Sequence, residues 1–306
     1  MINDTVVAEE EPFLELTPAL VAARRSQGRI IFDRFVRNRA AVAGAVFVII
    51  LFIACFLGPL VYRADPNYID PTVPINAAPT AAHLFGTDAN GRDELARAIA
   101  GGQVSLLVAL ASMLFAMVVG ILIGAIAGYY GGIIDNILMR FTDVVLAVPL
   151  YLLLFVLSAT FTDGSPRSVI ILIAIVVWTS AARLVRGQFL ILREQEYVLA
   201  ARTLGAKNLR LMFRHILPNA AGPIIVNATL LVGTNIILEA VMSYFGFGVR
   251  DPNPSWGNMV NQGQQSFDSA PWLVLVPAIL IFLTVLSFNL VGDGLRDALD
   301  PYMTER

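Results

Sequence analysis

Residues 196–218 read EYVLAARTLGAKNLRLMFRHILP, a polar, arginine-rich island between long apolar segments. Tyr197, Ala200, Ala201 and Leu204 fall at i, i+3, i+4 and i+7, giving one narrow apolar helix face with small residues at its centre. Glu196 and Arg202 sit on the polar side. Gly205 offers the permissive backbone a sharp turn needs, with Ala206 directly after it. Leu209, Met212, Phe213 and Ile216 repeat the helical spacing, while Lys207, Arg210 and Arg214 line the opposite side. Leu217-Pro218 closes the unit, because proline cannot continue a helix. The island therefore predicts two short helices joined at a glycine. One reading is a basic loop whose amphipathic helices lie on lipid; another is a knob shaped for a socket on a second protein.

The sequence on either side requires a membrane. The chain is 57% hydrophobic and 14% charged, whereas soluble domains carry about 25% charged residues. Six apolar segments predict an all-α polytopic membrane protein: 40–61, 104–127, 144–161, 169–182, 220–242 and 271–291. A crossing helix needs about 20 apolar residues. The third and fourth fall short. An amphipathic lead-in around Asp135–Asp143 would extend the third, and Arg183 and Arg186 snorkelling at the inner end would extend the fourth.

The arginines set the orientation. Arg24, Arg25, Arg29, Arg34, Arg37 and Arg39 precede the first span, and seven basic residues from Arg183 to Arg214 lie between spans four and five. Six spans put both regions on one side, which the positive-inside bias assigns to the cytoplasm together with both termini. Asp65, Asp70, Asp88, Asp93 and Glu94 mark the outer side. The expected organisation is a cytoplasmic tail over 1–39, a first span over 40–61 and an outer loop over 62–103 ending in a short amphipathic helix, 94–100. A five-helix core over 104–292 would hold the basic loop at 193–218, and a cytoplasmic tail would cover 293–306. The first 30 or so residues read as a flexible, acidic-then-basic tail ending in a membrane-proximal anchor. No cleavable signal is expected, since the first apolar run starts near residue 40.

Chemistry of the chain's own is hard to find. Its single lysine, Lys207, follows Gly205-Ala206, so no phosphate-binding Walker loop can be written. The two histidines, His83 and His215, are expected on opposite sides, which excludes a histidine-rich metal site and disfavours an intramembrane hydrolase. Catalytic and metal-ligating residues are therefore expected to be none. The outer run 83–93 has the Asp, Asn and Gly of a calcium loop, but the glycine comes too early and no bidentate glutamate follows. Cys55 is alone, so there is no disulfide framework. The net charge of −2 argues for no nucleic-acid partner. Gly120, Gly124 and Gly128 form a small-residue ridge for close helix packing, within the chain or across a dimer. Glu239, with Asn227 and Asn235 deeper in the same span, is either pathway lining or a helix-pairing group. The sequon at Asn227 lies within that span and is set aside.

Spacing within the island resembles the EAA loop of ABC-importer permeases: Ala200-Ala201, Gly205 four positions on, then Leu217-Pro218 after eleven more residues. Leu199 stands where that family usually has glutamate, and His215 stands at a usual isoleucine. Four further stretches, 83–106, 128–149, 251–257 and 288–301, resemble in order the C-type permease subunit of dipeptide and oligopeptide importers. The resemblance covers nearly everything from Arg34 to Pro301 and implies a type I ABC-importer permease fold in a bacterial inner membrane. It implies that the island couples to a separate ATPase, which uses ATP and Mg, while this chain binds no cofactor. The implied partners are a second homologous permease subunit, two cytoplasmic ATPases, an external substrate-binding protein, a peptide substrate and membrane lipid. Nickel and glutathione importers share this permease type. An ion-gradient-driven transporter would need inverted repeats and midplane relays that the sequence does not display.

Overall fold

The computed structural model describes residues 27–300. The acidic stretch and first arginines of the expected tail, and the last six residues, lie outside the described residues. The regular elements are helices, with only isolated bridges at Ile69–Arg92 and Thr87–Asp93 among the described residues.

A short helix, α1 (Gln27–Arg37), precedes α2 (Arg39–Val61), and Asn38 separates them by capping α2 through Ala41 N–H at 3.2 Å. So the segment expected to be a flexible tail is helical from Gln27 onward. After the outer loop comes α3 (Glu94–Tyr130), capped by the Asp93 carboxylate. The expected separate helix 94–100 is simply its first two turns. Gly101-Gly102 does not break it, because Trp256, Ser255 and Met259 press on that point and leave no room for a side chain.

The third apolar segment departs most from expectation. Instead of one extended span it forms α4 (Gly132–Ala147) and α5 (Leu150–Phe161), bent by 85° at the break before Pro149. Proline lacks the N–H that would continue α4 and excludes Val148 from helical backbone. By contrast, α6 (Pro166–Leu192) is a full span of 27 residues. The hairpin helices α7 (Glu196–Thr203) and α8 (Asn208–Arg210) follow, the latter running into a π-helical turn at Leu211–Ile216. Then come α9 (Ala221–Tyr244), short α10 (Trp256–Gln264) and α11 (Trp272–Leu299), which continues past the expected end of the last span. Among the described residues, five single helices, or six if the bent pair counts as one span, are long and apolar enough to cross a membrane.

Burial ranks these helices. In α6, 61% of the apolar stretch is buried, against 22% in α2 and α11. The core therefore sits between α3, α6 and α9, with α2 and α11 at the periphery.

Candidate functional site

The hairpin is folded around a positive-φ turn at Gly205 (φ +83°), a conformation open to glycine. Val198, Leu211, Met212 and Ile216 are its buried anchors. The apolar face predicted for α7 is turned outward: Tyr197 and Ala200 are exposed, Ala201 half-buried, and Leu204 88% exposed. Of the second predicted face, Met212 and Ile216 are buried, while Leu209 and Phe213 are exposed. The π turn explains the mixture. Leu217 N–H bonds to Met212 carbonyl at 2.8 Å, five residues back, so side chains rotate off the 3.6-residue spacing. Glu196, Arg202, Arg210, Arg214 and Pro218 are exposed around this apolar rim, with Ala206 and Leu217 half-buried.

Three contacts tie the hairpin to the end of α3. Arg193 donates to the Gly128 and Tyr129 carbonyls at 2.9 and 3.3 Å, satisfying acceptors that a helix end leaves open. The Tyr129 hydroxyl donates to Asn208 Oδ1 at 2.9 Å, and the Arg202 guanidinium lies 6.0 Å from the Tyr129 ring centre. Sequence reading missed Arg193, Tyr129 and Asn208 as a set, since only the fold brings residues 129 and 208 together.

The glycine ridge packs within the chain. A Cβ at Gly120 would lie 2.5 Å from Ala181 Cβ, one at Gly128 would lie 2.6 Å from Phe189 Cβ, and one at Gly124 would strike the Ala182 carbonyl. Helix α6 is therefore held against α3 backbone to backbone. Gly124→Val should lower the thermal midpoint and the folded yield in detergent, consistent with overpacking costs of about 1–3 kcal/mol. Gly187→Ala, at a site with nothing within 4 Å, should change neither; equal behaviour of the two variants would contradict the packing account.

On the same helix Arg186 holds Asp135 of α4 through two N–H···O bonds, the second at 2.6 Å. Arg183 meets Asp143 at 2.6 Å with both groups about half exposed. Around that pair, α4 and α5 present an open apolar face including Ile137, Phe141, Val144 and Leu152, with Arg140 also exposed.

The polar groups of α9 face inward. Glu239 is 0% exposed and accepts from Ser105 Oγ at 2.8 Å and Ser243 Oγ at 2.6 Å. Those hydroxyls in turn accept from Trp256 N–H and Val249 N–H, so the carboxyl knits α3, α9 and the entry to α10 together. Asn235 Nδ2 donates to Ser112 Oγ at 2.9 Å and to the Ala109 carbonyl. Its Oδ1, like that of Asn227, finds no partner among the described residues.

The outer loop is more than a surface turn. Arg97, fully buried, lies 3.4 Å from both Asp88 and Asp251 and donates to Gln262 at 3.1 Å. Arg92 pairs with Asp88 at 2.7 Å and reaches the same Gln262. Asp93 caps α3 with one oxygen and with the other receives the Tyr62 hydroxyl and meets His83 Nδ1, both at 2.8 Å. Partial burial, reinforced by the Asp93 carboxylate, pushes the Tyr62 phenol up to about 12, so it remains a donor near neutral pH. The network closes the acidic end of the bundle by joining the loop to α3 and α10.

The family model described as binding-protein-dependent transport system inner membrane component matches residues 120–305, and that for the N-terminal TM domain of oligopeptide transport permease C matches residues 26–79. The oligopeptide transport system permease protein OppC of Bacillus subtilis is 41% identical over 271 residues, 88% of this chain and 87% of that protein. The dipeptide permease DppC of Alkalihalophilus pseudofirmus and the glutathione permease GsiD of Pectobacterium atrosepticum are each 40% identical over 278 residues. These alignments span 91% and 90% of this chain, and 91% and 92% of those proteins. Among solved structures, an inward-facing MetNI methionine ABC transporter superposes with a TM-score of 0.51 at 18% identity, covering 65% of this chain and 95% of that one. An amino acid ABC transporter gives 0.52 at 16% identity, covering 66% and 94%. Sequence family and helical fold agree, and the chain belongs to the binding-protein-dependent transport system inner membrane component family, as a permease of an ABC importer.

Proposed function

We propose that this chain is one of two permease subunits in an ATP-driven importer of short peptides. The observation that carries the substrate class is 40–41% identity, over almost the whole chain, to permeases named for oligopeptides and dipeptides. Glutathione, itself a tripeptide, is the second reading, favoured by a relative of equal identity. In this proposal the chain has no catalytic residue: two cytoplasmic ATPases use ATP and Mg, and an external binding protein delivers the peptide.

The hairpin 196–218 is the ATPase-docking element. Its support is an exposed apolar rim on an element whose base is pinned by buried residues and by α3. The basic end of the bundle, with both termini, is cytoplasmic by the arginine bias. ATPase closure displaces the hairpin as a rigid body and switches the bundle between inward- and outward-facing states.

The open α4–α5 face is turned toward the second permease and the aqueous pathway. A charge facing lipid costs about 2.5–3.5 kcal/mol even on insertion scales, and this face carries Arg140 and the half-exposed Arg183–Asp143 pair. Glu239 and Asn235, bonded inside the chain, act as helix-pairing groups.

Proteoliposomes containing the chain, its co-encoded permease and ATPases should take up labelled di-, tri- and longer peptides only with ATP and the binding protein. Uptake without ATP, or uptake of glutathione but no other peptide, would each overturn a stated part of the reading.

A further inference from the structure

The geometry points to α1 as an interfacial anchor whose outer face takes anionic phospholipid headgroups. This inference needs only that the chain spans a membrane, and is independent of what it transports. Helix α1 is fixed along one side. Phe35 lies over Gly294, Arg34 Nη1 donates to the Asp300 carbonyl at 2.9 Å, and Asn38 Nδ2 donates to Asp297 at 3.4 Å. One side of α1 is thus seated on the last turns of α11. Its other end joins α2 through a single residue, Asn38.

That junction sets its depth. Helix α2 has 23 residues, about 35 Å, slightly more than the roughly 30 Å hydrocarbon core. Beyond Arg39 it contains no charged residue. Arg39 therefore stands at the edge of the hydrocarbon, and α1 lies directly outside it, at headgroup level.

What covers the outer face follows from the neighbours. Both helices that hold α1 are the least buried spans, and the exposed side chains of α2 are apolar, among them Ile49, Ile53 and Leu60. Among the described residues no exposed ion pair interrupts them, in contrast to the α4–α5 face. This flank faces lipid, and α1 continues it. On the outer side of α1, Phe32 is 65% exposed and Val36 49%, flanked by the exposed guanidiniums of Arg29, Arg37 and Arg39. An apolar stripe edged by arginines is the pattern that places rings among acyl chains and cations among lipid phosphates.

The test uses the full-length chain with Cys55→Ala and Phe32→Cys carrying an environment-sensitive fluorophore, with Val36→Cys as a second reporter of the same face. In phosphatidylcholine:phosphatidylglycerol (3:1) vesicles the label should blue-shift and be quenched by lipids spin-labelled near the headgroup. Titrating phosphatidylglycerol into the chain in neutral detergent should give the same blue-shift. Each arginine near such a surface contributes about 1 kcal/mol, so Arg37→Gln with Arg39→Gln should move that midpoint roughly thirtyfold higher. Arg167→Gln, exposed at the opposite end, should leave it in place. A water-like label in these vesicles overturns the proposal. So does a label that is shielded equally in pure phosphatidylcholine and untouched by the lipid quencher, since that signals a protein contact.

Discussion

Arg97→Met is expected to cost this protein more stability than any other single replacement in the outer loop. The guanidinium is fully buried and stands between Asp88, Asp251 and the Gln262 side-chain oxygen. Methionine fills a similar volume, so the loss isolates charge from packing. Removing one partner of a buried ion pair typically costs about 3–5 kcal/mol, because the remaining carboxylate stays desolvated without compensation. Arg92 still serves Asp88, but it also shares Gln262 and Asp251, so it cannot fully replace the missing donor. The thermal midpoint of the purified chain in detergent should fall sharply. A midpoint within a degree of the parent would show that the network is ornamental.

The second large effect separates function from folding. Leu204 is 88% exposed on the hairpin and touches little of its own chain, so Leu204→Asp should leave stability within about 0.5 kcal/mol. If the rim docks an ATPase, a charge placed at its centre costs 2 kcal/mol or more, about thirtyfold in apparent affinity. Binding-protein-stimulated ATPase activity and uptake should fall together while yield and midpoint hold. Val198→Asp, at a buried anchor, should instead lower the midpoint. Gly205→Pro belongs with Val198, because proline fixes φ near −65° and the turn needs +83°. Should Leu204→Asp transport normally, the docking role assigned to residues 196–218 fails even if the chain is still a peptide permease.

Hydropathy made the membrane class legible, and small-residue spacing exposed the ridge at Gly120, Gly124 and Gly128, since both are local properties of the chain. The bend at Pro149 was hidden for the opposite reason: 144–161 is apolar throughout, and one proline can sit in a kinked span or divide two helices. Burial of the 83–97 charges was equally hidden. Their partners, Asp251 and Gln262, lie more than 150 residues away, so the stretch reads as solvated until the fold is known. For the hairpin, the 3.6-residue pattern located the helices but not the residues that anchor them. The burial that counts there comes from Val198 and from the π turn, which no hydrophobic period announces.

Helix α3 runs unbroken for 37 residues, about 55 Å. It begins at the Asp93 cap beneath the outer charges, and at its other end Tyr129, in its last turn, is where the hairpin is fastened. A rod of that kind carries a message as well as a load. An event at one face of the membrane cannot remain private to that face, because tilting one end of the rod displaces the other. Occupancy of the hairpin should therefore be readable from outside, in the emission of Trp256, whose indole donates to the Ala98 carbonyl near the rod's outer tip.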